Sequence, residues 1–179
     1  MKNLITIIAL FITTFVSAQS RLDSLVLVKV NEYRTSKGLN KVQFDTVCYK
    51  AAENQASYLF KSDLNVGHSQ NNIGFETPDK RYIYFGGNEH ASTAEVCNGV
   101  PNLNIKDSDT MRLDKIATAI VEAWKKSPDH NKILITDKYK FTGVSTKVKT
   151  SKSGFVDKVT KEPLIHYEIK ATMVFTTMK

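Results

Sequence analysis

The sequence predicts an α+β sandwich in which helices come first and strands come last. Helical patterns, with apolar residues at steps of three and four, recur between residues 22 and 126. Runs of alternating β-branched and aromatic residues follow, over residues 141–148 and 164–176. Because helices and strands are segregated along the chain, an alternating βαβ arrangement is not expected.

The first 18 residues have the pattern of a signal peptide. Lys2 precedes an apolar run from Leu4 to Val16, and Val16-Ser17-Ala18 supplies the small residues of a cleavage site. The run is too short to span a membrane comfortably, and an uncleaved anchor is the alternative. We therefore expect a secreted or periplasmic mature chain with no transmembrane anchor after cleavage.

The formal charge of the whole chain is +7, and loss of Lys2 with the leader would leave +6. A basic surface favours anionic partners such as cell-wall polymers or phosphorylated head groups. The lysines are dispersed and no nucleic-acid motif is present, so a soluble basic surface is the simpler interpretation. No nucleic-acid partner is expected.

The first two helices are predicted over residues 22–36 and from Asp45 to about residue 62. Gly38 is expected to end the first helix, and Asp45 to cap the second. The second helix has a narrow apolar face that includes Cys48, Ala52 and Ala56. Small residues on this face indicate close packing against another element.

The middle of the chain is predicted to hold two loops around a short buried strand. Residues 63–74 are polar and glycine-bearing, with His68 at their centre. Residues 94–97 form the short strand, in which Glu95 would be a buried carboxylate that needs a partner. Residues 101–109 are expected to be a polar linker.

A third helix is predicted from Met111 to about Lys126, with Pro128 ending it. His130 follows directly. The strand over residues 141–148 comes next, then a turn over residues 151–154 and a short strand over residues 155–159. The final strand, residues 164–176, alternates apolar residues on one side.

The chain contains two cysteines, Cys48 and Cys97. An even number in an exported protein allows a disulfide. Both cysteines lie among apolar or small neighbours, so two buried free thiols are the alternative. Their spacing does not match a cysteine zinc site.

Several segments, in this order, resemble the CAP superfamily (cysteine-rich secretory proteins, antigen 5 and pathogenesis-related 1 proteins), in its compact bacterial SCP-like type. Asn31-Glu32-Tyr33-Arg34 resembles the opening helix of the family, and Ala94-Glu95-Val96 resembles its Glu-Asn-Ile segment. Trp124 followed by Ser127-Pro128-Asp129-His130 resembles the bacterial Trp-x-x-Ser-Pro-x-His signature. The resemblance covers about residues 22–178, which we take as one domain after the signal peptide at residues 1–18.

The resemblance implies a three-layer α-β-α sandwich with a mostly antiparallel sheet. It also implies a cleft holding two histidines and two acidic residues, which carries over to His68, Glu95 and His130. The second acidic residue is missing at the family position, where this chain has Lys125 and Lys126.

Two interpretations of the cleft remain open. Two imidazoles and one carboxylate can hold zinc with an open position, and bound water would then become a nucleophile. The alternative is a hydrogen-bonded polar cluster in which Glu95 orients one imidazole and raises its pKa. We favour the cluster, because the fourth ligand is lost.

The favoured function is a non-catalytic binding module that recognises a cell-envelope glycan, a lipid or a protein. A metal-assisted, peptidase-like hydrolase using His68, His130 and Glu95 is the alternative, although no Gly-x-Ser-x-Gly motif supplies a nucleophile. A third hypothesis is an interaction protein in which the polar cluster only stabilises the fold.

Overall fold

The computed structural model describes residues 21–64 and 67–179. The signal peptide predicted at residues 1–18 lies outside the described residues. The described chain forms helices and one sheet. In chain order its elements are α1 (21–36), β1 (Gln43–Phe44), α2 (Thr46–Lys61), α3 (Pro78–Tyr84), β2 (Thr93–Lys106), α4 (Arg112–Lys126), α5 (Pro128–Leu134), β3 (Phe141–Val156) and β4 (Pro163–Thr176).

The sheet has four strands in the order β1-β3-β4-β2. The long strands β2, β3 and β4 pair antiparallel, whereas the two-residue β1 pairs parallel with β3. The sheet is therefore mixed, which corrects one detail of the predicted mostly antiparallel sheet. The predicted α+β class is confirmed.

One face of the sheet packs against α1, α4 and α5 and forms the larger core. Strand alternation directs Val96, Val144 and Met173, which are register partners on neighbouring strands, to this face. Helices α1 and α4 contribute the apolar faces that their periodicity predicted, and α5, which was not predicted, adds one more buried residue. Their buried residues are Leu22, Val26, Val30, Ile116, Ile120, Trp124 and Leu134.

The opposite face packs against α2 and α3 with a much smaller apolar cluster. Cys48, Ala51 and Ala52 of α2 meet Tyr82 of α3 and Val174 of β4 there. The predicted cap of α2 is confirmed, because the Asp45 carboxylate accepts a hydrogen bond of 2.9 Å from the Cys48 backbone N–H. This face carries the polar residues described below.

Two predicted strand boundaries are wrong. Strand β2 continues through the expected linker to Lys106, and the ladder shifts register between Val100 and Leu103. An edge strand with such an irregularity tolerates Pro101. Strand β3 likewise runs through the expected turn at residues 151–154 to Val156. Pro128 follows the end of α4 as predicted, but it also begins α5 at the first helical position, where proline loses no hydrogen bond.

Candidate functional site

The three predicted cleft residues come from separate elements and lie together. His68 lies in the loop after α2, Glu95 on β2, and His130 in the first turn of α5. The Nδ1 atom of His68 lies 3.0 Å from Oε1 of Glu95. The rings of His68 and His130 lie edge to face with their centroids 5.8 Å apart. His68 is thus the central member, in contact with both of the others.

Strand alternation explains why Glu95 points into this cleft. Glu95 is paired with Val174, whose side chain belongs to the α2–α3 face. Cys97, two residues further along β2, projects to the same face. The carboxylate is consequently buried between the sheet and the loop that carries His68.

Arg81 of α3 is the partner of Glu95, and the sequence pattern did not identify it. Its Nη2 lies 2.7 Å from Oε2 of Glu95, and the side chains of both residues are fully buried. Arg81 also donates hydrogen bonds to the backbone carbonyls of Phe75 at 2.8 Å and His68 at 3.1 Å. One guanidinium therefore neutralises the carboxylate and fixes the loop around the histidine.

The available signal for Arg81 was indirect. A buried carboxylate at residue 95 requires a cation or several hydrogen-bond donors. Nothing in the local pattern of α3 distinguishes Arg81 from the neighbouring Lys80, because Pro78–Tyr84 is only a seven-residue helix. The sequence therefore indicated that a buried Glu95 needs a partner, but it did not identify Arg81 as that partner.

Cys97 is the other member of the cluster that the prediction did not place in the cleft. Its thiol donates a hydrogen bond to the Gly67 carbonyl at 3.2 Å and lies 3.6 Å from Nδ1 of His68. The alternation of β2 could have indicated this position, because Cys97 and Glu95 are two residues apart on one strand.

Cys48 and Cys97 are both free and buried in the structure. Cys48 lies over Gly143 of β3, and Cys97 belongs to β2, with β4 between these strands. Two strand spacings amount to about 10 Å, beyond the reach of a disulfide. This arrangement favours two buried free thiols over the disulfide that the sequence also allows.

The two histidines have opposite electrostatic environments. Contacts with the Cys97 sulfur, and then with the Glu95 carboxylate, raise the pKa of His68 to about 10 despite partial burial. Burial, followed by repulsion from His68, lowers the pKa of His130. At neutral pH the cleft therefore presents one imidazolium beside one neutral imidazole.

The donor set that could hold a metal differs from the predicted one. Within the described residues, His68, Glu95 and Cys97 place one ligand atom each within 4.8 Å of one another, and His130 is outside this group. The Arg81 guanidinium already occupies Oε2 of Glu95 and would repel a cation. The residues consequently fit a divalent metal poorly.

The candidates for a second acidic ligand do not complete the site. Glu122 is exposed on α4 and forms an ion pair with Lys125. Asp129 is also exposed, beside His130 in sequence. Neither residue belongs to the group of His68, Glu95 and Cys97 whose ligand atoms lie close together within the described residues.

The comparison of the sequence with protein families assigns the chain to a known group. The profile of the CAP family, the cysteine-rich secretory protein family, matches residues 27–158. This span exceeds half of the chain, and the protein belongs to that family. No curated protein matches the sequence.

Solved structures from three bacteria share the fold. An outer surface protein of Borrelia burgdorferi has a TM-score of 0.58 at 18% identity, over 89% of this chain and 94% of that one. An SCP-domain extracellular protein of Bacillus anthracis has a TM-score of 0.54 at 14% identity, covering 86% of this chain and 40% of the other. A cysteine-rich secretory protein of Staphylococcus aureus has a TM-score of 0.52 at 15% identity, covering 89% and 39%. These likenesses concern the fold alone.

No helix within the described residues combines the length and the apolar character that crossing a bilayer requires.

Proposed function

We propose that the protein is an exported binding module whose His68–His130 cleft holds an anionic group of a cell-envelope glycan, lipid or protein. Export is supported by the signal-peptide pattern and by the outer surface and extracellular descriptions of the structural neighbours. A secreted or periplasmic location follows from the same proposal.

The observation that carries this proposal is the full engagement of Glu95. Its Oε1 contacts His68 and its Oε2 contacts Arg81, and its side chain is fully buried. A general base or metal ligand needs a free lone pair directed at the reacting group. The remaining lone pairs of Glu95 lie on a side chain with no solvent exposure, and moving Oε2 away from Arg81 would leave a buried cation without its partner, which is costly. Its role is therefore to hold His68.

His68 is the group available to a ligand. Its side chain is 44% exposed, whereas that of Glu95 has no exposure. Because Nδ1 faces Glu95 at 3.0 Å and Nε2 has only a long contact of 3.9 Å with the Cys97 sulfur, the imidazolium Nε2–H is the donor better placed for a bound acceptor. A charged donor forms shorter and stronger hydrogen bonds with phosphate or carboxylate oxygens than a neutral donor does. The neutral ring of His130 forms one wall beside it.

Titration with inorganic phosphate, followed by the NMR signals of the histidine rings, tests this proposal. We expect saturable shifts at His68, and a loss of affinity of about tenfold in His68→Gln because one charge-assisted hydrogen bond disappears. His90→Gln is the matched control, because His90 is exposed outside the cleft. Equal phosphate affinity in wild type and His68→Gln would show that the cleft is not the anion site.

A metal-assisted hydrolase is the second candidate, and the proximity of His68, Glu95 and Cys97 is the observation in its favour. Zinc would supply a polarised water to such a site. Calorimetric titration with zinc separates the candidates, using a His68→Ala/Cys97→Ala double variant as the control. Micromolar binding that the double variant loses would favour the hydrolase. Absent or equal binding would eliminate it.

A further inference from the structure

The connection between β3 and β4 exposes an unusual group of apolar side chains. Phe155, Val156 and Val159 are 66%, 54% and 89% exposed. They lie within five consecutive positions at the end of a long antiparallel hairpin. Single exposed apolar residues are common on proteins, but a contiguous group indicates an interaction surface.

The tip of this hairpin is well ordered. The Asp157 backbone N–H donates to the Glu162 carbonyl at 2.8 Å, and the Lys161 N–H donates to the Asp157 carbonyl at 3.0 Å. The Asp157 carboxylate accepts hydrogen bonds from the backbone N–H groups of Val159 and Thr160. The turn therefore holds Val159 at its apex, so that exposure is a property of the folded hairpin.

The charges around the apolar group are mainly positive. Residues 148–162 contain four lysines and two acidic residues. The acidic side chains are used within the fold: Asp157 closes the turn, and Glu162 accepts a hydrogen bond of 2.7 Å from the Ser108 hydroxyl. No ion pair within the described ranges involves these lysines, which are Lys149, Lys152, Lys158 and Lys161.

We propose that this hairpin tip docks the protein on the surface of an anionic phospholipid bilayer. Phe155 and Val159 would enter the boundary between head groups and acyl chains, as exposed apolar residues of interfacial segments do. The surrounding lysines would lie at the level of the lipid phosphates, where each basic residue adds attraction. The inference does not depend on the function proposed for the cleft, because the two sites share no residue.

Co-sedimentation with phosphatidylglycerol vesicles tests this docking, with phosphatidylcholine vesicles for comparison. The full chain and its variants are compared, so that any contribution of residues 1–20 is common to all of them. We expect the partition coefficient of Phe155→Ser/Val159→Ser for anionic vesicles to fall by at least about tenfold. The matched control is Ile73→Ser, because Ile73 is an exposed apolar residue outside the hairpin.

A second pair of variants tests the charges. Lys152→Gln/Lys158→Gln is expected to lose about tenfold in partitioning on anionic vesicles, and added salt should weaken wild-type binding. Lys41→Gln/Lys126→Gln, which removes two exposed lysines elsewhere, is expected to retain most of it. Phe155→Trp should bind and show a blue-shifted emission with vesicles.

Three results would overturn the proposal. They are an absence of vesicle binding, equal partitioning of wild type and the Phe155→Ser/Val159→Ser variant, and equal binding to anionic and zwitterionic vesicles. Circular dichroism of each variant verifies that the fold is retained.

Discussion

The two faces of the central sheet are stabilised by different interactions. The face against α1, α4 and α5 buries large apolar side chains such as Trp124 and Ile120. The face against α2 and α3 has small residues and a buried ionic cluster built on Arg81 and Glu95. Apolar packing stabilises the first face, whereas the second depends on matched charges that also position an exposed histidine. The first face therefore holds the fold by apolar packing, and the second presents the histidine for which we propose a binding role.

Removing the cation from the α2–α3 face is the substitution expected to have the largest effect. Arg81→Met leaves the buried Glu95 carboxylate with only the partly exposed His68 as a charge partner, and we expect a loss of about 3–5 kcal/mol in the free energy of unfolding. Urea denaturation measures this loss.

Two further variants show whether the loss of stability in Arg81→Met comes from the unpaired buried charge. Arg81→Met/Glu95→Gln should recover part of the stability, because the buried charge is removed with its partner. Arg112→Met is the control: it removes an exposed pair with Asp107 and should cost less than about 1 kcal/mol. If Arg81→Met were no more destabilising than the control, the charged pair would not be a structural centre of this face.

Substitutions at two neighbouring residues of β3 show how closely each face of the sheet is packed. A Cβ added at Gly143 would overlap the backbone of Tyr49 in α2, which cannot move as a side chain can. Gly143→Ala should therefore cost about 3 kcal/mol or more. Val144→Ala, on the apolar face, removes two methyl groups and should cost about 1–2 kcal/mol. Chemical denaturation would contradict the close approach of α2 if Val144→Ala proved the more damaging.

Asp23 of α1 is an ionisable residue that is buried on the otherwise apolar face of the sheet. Its Oδ1 accepts hydrogen bonds from the backbone and hydroxyl of Thr146, and burial raises the pKa of this carboxyl to about 7. Because burial raises the folded-state pKa of Asp23, protonated Asp23 is compatible with the folded state and its contribution to stability is present at low pH. This contribution is lost as the pH rises toward 7.

The substitution Asp23→Asn tests this pH dependence. It keeps an acceptor for Thr146 and removes the charge, so it should stabilise the protein at pH 8 by roughly 1–3 kcal/mol relative to its effect at pH 4. Urea denaturation at both pH values measures the difference. An identical effect at both values would mean that Asp23 titrates normally.

His68 should give the smallest change in stability, because its side chain is 44% exposed. Its pKa is raised to about 10 by Cys97 and Glu95. The stabilisation from protonated His68 is therefore fully present below about pH 6.5 and is lost as the pH rises through 10. Thermal unfolding should show His68→Gln less stable than wild type at pH 6, by less than about 1 kcal/mol, and the gap should close above pH 10. A constant gap would contradict this assignment.

The sequence was most informative where apolar residues recur at a fixed period along a helix or a strand. The periodicity of α4 and the alternation in β4 predicted Trp124, Ile169 and Met173 as core residues, and the structure buries all three. Asp45 was predicted as a cap because capping is a local interaction. These predictions succeeded because the helix or strand itself determines which face is apolar.

The cleft was predictable only in part. The family resemblance brought His68, Glu95 and His130 together, but the Arg81 contact joins residues 14 positions apart through the tertiary fold. The extension of β2 past Pro101 was missed for a related reason, since its pairing with β4 overrides the local preference of proline. Contacts of this kind depend on the strand order rather than on a local pattern.

The most direct test of the central claim is the pKa of His68, measured by NMR of the ring protons. If Glu95 holds a protonated His68 in the cleft, its signals should not titrate between about pH 5 and 8. Titration of His68 near 6.5 would contradict the account, because the contacts with Glu95 and Cys97 would then not stabilise the imidazolium.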